Sequence, residues 1–259
     1  MIRTLVKRLW LVPVVFAGWE VLAGSLATPY LPAPTLVLSR MYEMWLSGPY
    51  ILTEEAVDHF LPSLIRVTGS WAIAVVAGVA LGVAIGRTPW LADCVEPLIE
   101  FGRAVPPPVM LPVFLVLFQI GPQVQVATIV FGIVWPILLN SIDGARHVDV
   151  LKMETAVVFG VPAHLRFFRV ILPAAAPKIF AGLRLSVSLA LILMVISELK
   201  ASTEGIGYLL NLASGNADMP AIWAGVLLLG VLGFAFNSLF LMVERRALAW
   251  HRAAHRPAQ

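Results

Sequence analysis

Six stretches of the chain are apolar for long enough to cross a bilayer, which takes about 20 mostly apolar residues. Leu9–Thr28 carries one acid, Glu20. Val67–Gly86, Ala104–Gly121, Pro122–Ile142 and Met219–Val243 carry no charge at all. Pro177–Ser197 carries only Lys178 and Arg184, both near its first end. No segment alternates as the strands of a transmembrane barrel do. The pattern predicts an all-α integral membrane protein with about six transmembrane helices. The first stretch has a second reading, because Arg3, Lys7 and Arg8 precede it and Ala-Gly-Ser-Leu-Ala lies within its end, as in a signal peptide. Its apolar character outlasts a usual signal core, which favours a retained helix.

Two connections between these stretches are long. Pro29–Arg66 holds three prolines near its start, an amphipathic stretch around Val37–Leu46 and an acidic patch of Glu54, Glu55 and Asp58. Asp143–Ala176 is the most basic part of the chain. Within it, Asp149 is placed to N-cap a helix running to Phe159, with Gly160 as its C′ stop. Pro162 stands where a second short helix would start, carrying Leu165, Phe168 and Arg169 on one side, and Pro173 would close it. This reads as a helix–turn–helix presenting aromatic and basic side chains, a docking element rather than a passive linker.

Composition agrees with the pattern. Of 259 residues, 59% are hydrophobic and 13% charged, against about 25% charged in soluble domains. The mean hydropathy is +0.89. Disorder is excluded, and so is a disulfide scaffold, since Cys94 is the only cysteine. Basic residues set the orientation. With the N-terminus inside, fifteen lie in inner segments and three, Arg40, Arg66 and Lys200, in outer ones. Both termini are therefore expected in the cytoplasm. The net charge of +3 reflects this bias and not nucleic-acid binding.

Candidate chemistry is sparse. No Gly-x-x-x-x-Gly-Lys-Ser/Thr run exists to cradle a nucleotide phosphate. Only His251 and His255 of the five histidines have i, i+4 spacing, and they fall in a frayed tail, so no metal site is expected. No nucleophile-elbow pattern places a serine beside a histidine and an acid. Acids at membrane depth are functional candidates by default. Glu198 reads as an interfacial acid paired with Lys200, and Glu20 as a helix-contact acid. Gly78, Gly82 and Gly86 form a stripe of small residues that lets another helix approach closely. Pro106, Pro107 and Pro108 remove three successive backbone donors, so a helix must begin at or after them. Pro112 and Pro136 can kink their helices.

The long inner connection also carries a family signature. Glu154-Thr155-Ala156-x-x-x-Gly160, nine residues, then Val170-x-Leu172-Pro173 resembles the EAA motif of ABC-importer permeases. Thr155 and Val170 are mild departures from it. Leu31–Thr35, Val105–Pro108, Pro136–Asn140 and Gly205–Tyr208 look like the nitrate/sulfonate/taurine subfamily, whereas Phe118-Gln119-Ile120-Gly121 departs from its usual Phe-Gly-Ile-Gly.

The resemblance implies a type I importer permease: one domain over 1–259, its core at 60–245 and a coupling loop at 143–176. Its residues for engaging an ATPase would be Glu154, Ala156, Gly160, Pro162, His164, Leu165, Arg166, Phe168, Arg169 and Pro173. The implied partners are a second copy of the chain, two cytoplasmic ATPase subunits, an extracytoplasmic solute-binding protein and the lipid of a bacterial inner membrane. ATP and Mg would sit on the ATPase, leaving this chain without a cofactor or an enzymatic activity. The solute would be a small anion such as a sulfonate, taurine or nitrate, or alternatively a pyrimidine or flavin. No basic residue lies at the predicted midplane, so Gln119, Gln123, Asn140, Ser186, Ser188 and Glu198 are the polar candidates for the pore. A stand-alone transporter would be expected to show paired interrupted helices in two halves, and none is visible.

Overall fold

The computed structural model describes residues 10–26, 28–49 and 51–250. The basic residues Arg3, Lys7, Arg8, Arg252 and Arg256, and the pair His251 and His255, lie outside that range. The described chain is helical: α1 Leu11–Leu26, α2 Pro34–Met41, α3 Glu54–Gly86, α4 Pro89–Ala104, α5 Leu111–Phe118, α6 Pro122–Arg146, α7 Val150–Val158, α8 Ala163–Arg166, α9 Leu172–Ala201, α10 Ile206–Gly215 and α11 Met219–Ala247. Among the described residues, four helical runs are long and apolar enough to span a membrane: α3, α6, α8 through α9, and α11. Counting the pair α4 and Pro107–Phe118 as one broken span makes five, and α1 is a shorter apolar helix.

The expected third crossing is interrupted. The helix preceding it, α4, ends at Ala104, and the chain turns by 88° before Pro107–Phe118. The cause is local, because three consecutive prolines cannot donate to an ongoing helix and hold φ near −65°. They lead into a 3₁₀ turn, Pro107–Met110. The second crossing differs in the other direction. Its helix starts at Glu54, with Glu54 and Glu55 in the first turn, where acids complement the helix dipole. Thr53 caps it by accepting from Ala56 N–H at 3.1 Å. At 33 residues, α3 is about 50 Å long, so Arg66 is a mid-helix residue and not part of an outer loop.

The chain divides into two compact units, residues 1–63 with 203–231, and residues 64–202 with 232–259. In the first unit, Glu20 acts as a remote cap. Its carboxylate accepts from the backbone N–H of Thr35 at 3.1 Å and from the Thr35 hydroxyl at 2.7 Å. The residue before α2, Ala33, has no side chain able to do this, so the acid of α1 supplies it. The amphipathic stretch forms α2 and a following π turn, Tyr42–Leu46, with Val37 and Trp45 buried against Ala56 and Ala224. Arg40 donates to Asp218 at 2.6 Å. That hydrogen bond raises the Arg40 pKa further above its ordinary value. Asp218 also accepts from Ala221 N–H at 3.1 Å, capping α11.

In the second unit the glycine stripe of α3 faces α6. A Cβ on Gly78 would lie 2.8 Å from the Ile137 side chain, one on Gly82 2.5 Å from Ser141, and one on Gly86 2.5 Å from the Ile142 carbonyl. Only a residue without a side chain permits this backbone approach. The partner of α6 on its other side is α9, held close by Gly182 against the Pro136 carbonyl and Gly144 against Ala175. Since α9 begins at Leu172, Lys178 and Arg184 are further from its start than the hydropathy boundary at Pro177 suggests.

Candidate functional site

The segment between α6 and α9 folds from its own sequence. Asp149 caps α7 by accepting from Leu151 N–H at 2.9 Å. The helix stops in a Schellman turn: Gly160 N–H donates to Val157 O and Val161 N–H to Ala156 O, both at 2.9 Å. Gly160 has φ +65°, a conformation that penalises a Cβ, although the space around it is open. Ala156 is buried, while Glu154 and Gly160 are exposed.

Pro162 takes the N-cap position of α8, its carbonyl accepting from Arg166 N–H at 2.9 Å. Pro173 does not close this helix. A π turn, Phe167–Ile171, carries α8 directly into α9, with Pro173 in the first turn of α9. A proline in a helix removes one donor and pushes on the carbonyl one turn back. Widening that turn into π geometry relieves both. The expected helix–turn–helix is therefore a short helix, a turn and the beginning of a long span.

Apolar side chains without cover mark this element. Val158 is 82% exposed, Phe159 80% and Phe168 63%. His164 and Arg169 are exposed beside them, and Leu165 and Arg166 are half-buried. The ring of Phe168 meets Phe167 edge-on at 5.0 Å. At the base of the element, Asp143 of α6 binds Lys178 of α9 at 2.5 Å and His147 at 2.7 Å. The two helices that bracket the element are thus pinned together. Asp143 and Lys178 were not among the sequence candidates; their signal is an acid and a base flanking the motif on both sides.

The pore candidates lie on different elements. Ser186 is buried, accepting from Trp71 Nε1 at 2.8 Å and donating to Leu183 O at 2.7 Å. Asn140 donates to the Pro136 carbonyl at 2.8 Å. Gln119, at φ +60°, and Gln123 are exposed near the α5–α6 turn, and Ser188 is exposed on α9. The buried glutamine of this region is instead Gln125, which donates to the Ala201 carbonyl at 2.5 Å. Glu198 is fully buried and pairs with Arg66 at 3.2 Å, in place of the expected interfacial pairing with Lys200. Hydropathy hid this because Arg66 stood outside the predicted span.

Known proteins resemble this arrangement. SsuC of Bacillus subtilis (strain 168), described as an aliphatic sulfonates transport permease, is 28% identical over 95% of this chain and 88% of its own length. The taurine transport system permease protein TauC of Escherichia coli (strain K12) is 28% identical over 90% of this chain and 85% of its own. Among solved structures, an inward-facing MetNI methionine ABC transporter has a similar fold, with TM-score 0.62 and 17% identity over 72% of this chain and 93% of that one. Residues 74–248, well over half the chain, match the family described as binding-protein-dependent transport system inner membrane component. The buried helix pairs and the motif between α6 and α9 belong to that matched region, and the chain is a member of this family of ABC-transporter permeases.

Proposed function

We propose that the chain is the pore subunit of an ATP-driven importer, working by alternating access and coupled through residues 150–169 to a separate ATPase. The observation that carries this reading is the exposed apolar and basic surface of Val158, Phe159, Phe168 and Arg169, held on a pinned base at Asp143 and Lys178. Uncovered aromatic side chains rimmed by charge are what a protein partner buries. Glu154, Ala156, Gly160, Pro162, His164, Leu165, Arg166 and Pro173 form or shape that surface. The partners are two ATPase subunits carrying ATP and Mg, a second copy of this chain, and an extracytoplasmic solute-binding protein. The chain crosses a bacterial inner membrane with both termini in the cytoplasm.

The mechanism is a population shift. Closure of the ATPase pair on ATP moves both docked elements, and a nucleotide can bias the pore only through a difference in free energy between its two states. Because α8, the π turn and α9 form one continuous helical run, a push on Phe168 is passed along α9. The solute class follows the relatives, whose names specify aliphatic sulfonates and taurine, so a small anion of the sulfonate, taurine or nitrate type is proposed. The test is reconstitution of the tagged full chain with its ATPase and solute-binding protein, followed by ATP-dependent uptake of taurine and ethanesulfonate. Co-purification of an ATPase with uptake of either anion supports the reading. Absence of any ATPase from the purified membrane complex contradicts it.

A further inference from the structure

We infer that Arg184 is an anion-contacting residue of the translocation path, an oxyanion site on the exposed face of α9. The inference rests on the importer reading above and adds to it the residue that recognises the solute's charge. Arg184 lies twelve residues into α9, which places it about 18 Å from Leu172 and about 25 Å from Ala201 along the axis. It is also about 9 Å further along the axis than Lys178, which the Asp143 carboxylate holds at the base of the α6–α9 connection. Ala181, Arg184, Leu185, Ser188, Leu189 and Ile192 are all exposed, and their i, i+3, i+4, i+7 spacing makes them one face of the helix. The opposite side, with Gly182 and Ser186, is packed against α6 and α3.

Charge pairing separates Arg184 from its neighbours. Arg66 is neutralised by Glu198 and Lys178 by Asp143. Arg184 makes no hydrogen bond or ion pair with any of the described residues. An unpaired guanidinium inside an apolar run is costly against lipid unless it reaches an interface, and is otherwise found facing a water-filled cavity or a bundle interior. Ser188 stands one turn further along the same face, so a hydroxyl lies within helical reach of whatever the guanidinium binds. A guanidinium presents several N–H donors in a fixed planar fork, the geometry that fits a sulfonate, carboxylate or nitrate. The hydropathy pattern concealed this residue by placing it near the beginning of its span.

The test exploits the single cysteine. In a Cys94→Ser background, Arg184→Cys is introduced into the full chain and reconstituted with its ATPase and solute-binding protein. Water-soluble methanethiosulfonates should label the new thiol, and failure of labelling in every nucleotide state would overturn the inference. ATP-dependent uptake of ethanesulfonate should fall by about tenfold relative to the parent, the loss expected for one charged hydrogen bond. Reaction with the aminoethyl reagent, which restores a cation, should recover uptake, while the anionic sulfonatoethyl reagent should not. Unchanged uptake, or recovery that ignores the reagent's charge, would also overturn the inference. If the parent itself carries no ethanesulfonate, the proposed solute class fails and the labelling result alone decides the placement of Arg184.

Discussion

The Glu198 carboxylate and the Arg66 guanidinium lie 132 positions apart in sequence and meet at 3.2 Å, with side chains 0% and 7% exposed. The pair joins α3 to α9 inside the unit that also holds α6. Removing one member of a buried pair leaves a desolvated charge behind, which typically costs about 3–5 kcal/mol. Arg66→Met or Glu198→Leu should each lower the thermal unfolding midpoint of the purified protein substantially. The double variant should lose less than the sum of the two. Strictly additive losses would show that the two side chains do not act as a pair.

The glycines of α3 provide an internal comparison. Gly82→Ala would force a Cβ to 2.5 Å from Ser141 and 2.8 Å from the Leu138 carbonyl, whereas Gly69→Ala meets nothing within 4 Å. Overpacking costs about 1–3 kcal/mol, while alanine for glycine in an open helical site gains about 0.5–1 kcal/mol. The two variants should therefore move the unfolding midpoint in opposite directions. A shift of equal size and sign in both would contradict the close approach of α3 and α6.

Gly160 is constrained by backbone and not by space. Its φ of +65° costs a residue bearing a Cβ about 1–2 kcal/mol, and asparagine tolerates it better than valine. Gly160→Val should distort the turn between Phe159 and Pro162 and depress uptake strongly, with Gly160→Asn retaining more. Membrane insertion should be normal in both, since the turn lies outside the spans. Equal activity of the two variants would remove the turn from the account.

Much of the element between α6 and α9 was legible because it is built locally. Asp149 and Gly160 act on neighbours within a few positions, and a cap and a left-handed stop announce themselves by residue type. Pro173 misled for the same reason. Read alone it ends a helix, but a π turn just upstream lets α8 and α9 run together. The partner of Glu198 was hidden because a pairing across 132 positions leaves no mark on either local sequence. Hydropathy alone also placed the start of α3 late, since Glu54, Asp58 and Arg66 interrupt the apolar run without breaking the helix. Glu20 was recognisable as unusual, yet its use as a cap for α2 depends on a fold-back that no single window contains.

In the proposed importer, residues 150–169 are the surface on which an ATPase is seated. Arg166 and Arg169 sit on that surface beside Phe168, and reversing charges at a protein interface costs binding heavily. The decisive measurement is the ATPase recovered per tagged chain when the Arg166→Glu/Arg169→Glu double variant is purified from membranes. At least about a tenfold loss is expected, with an unchanged amount of the chain in the membrane. Full recovery of the ATPase with the double variant would contradict it.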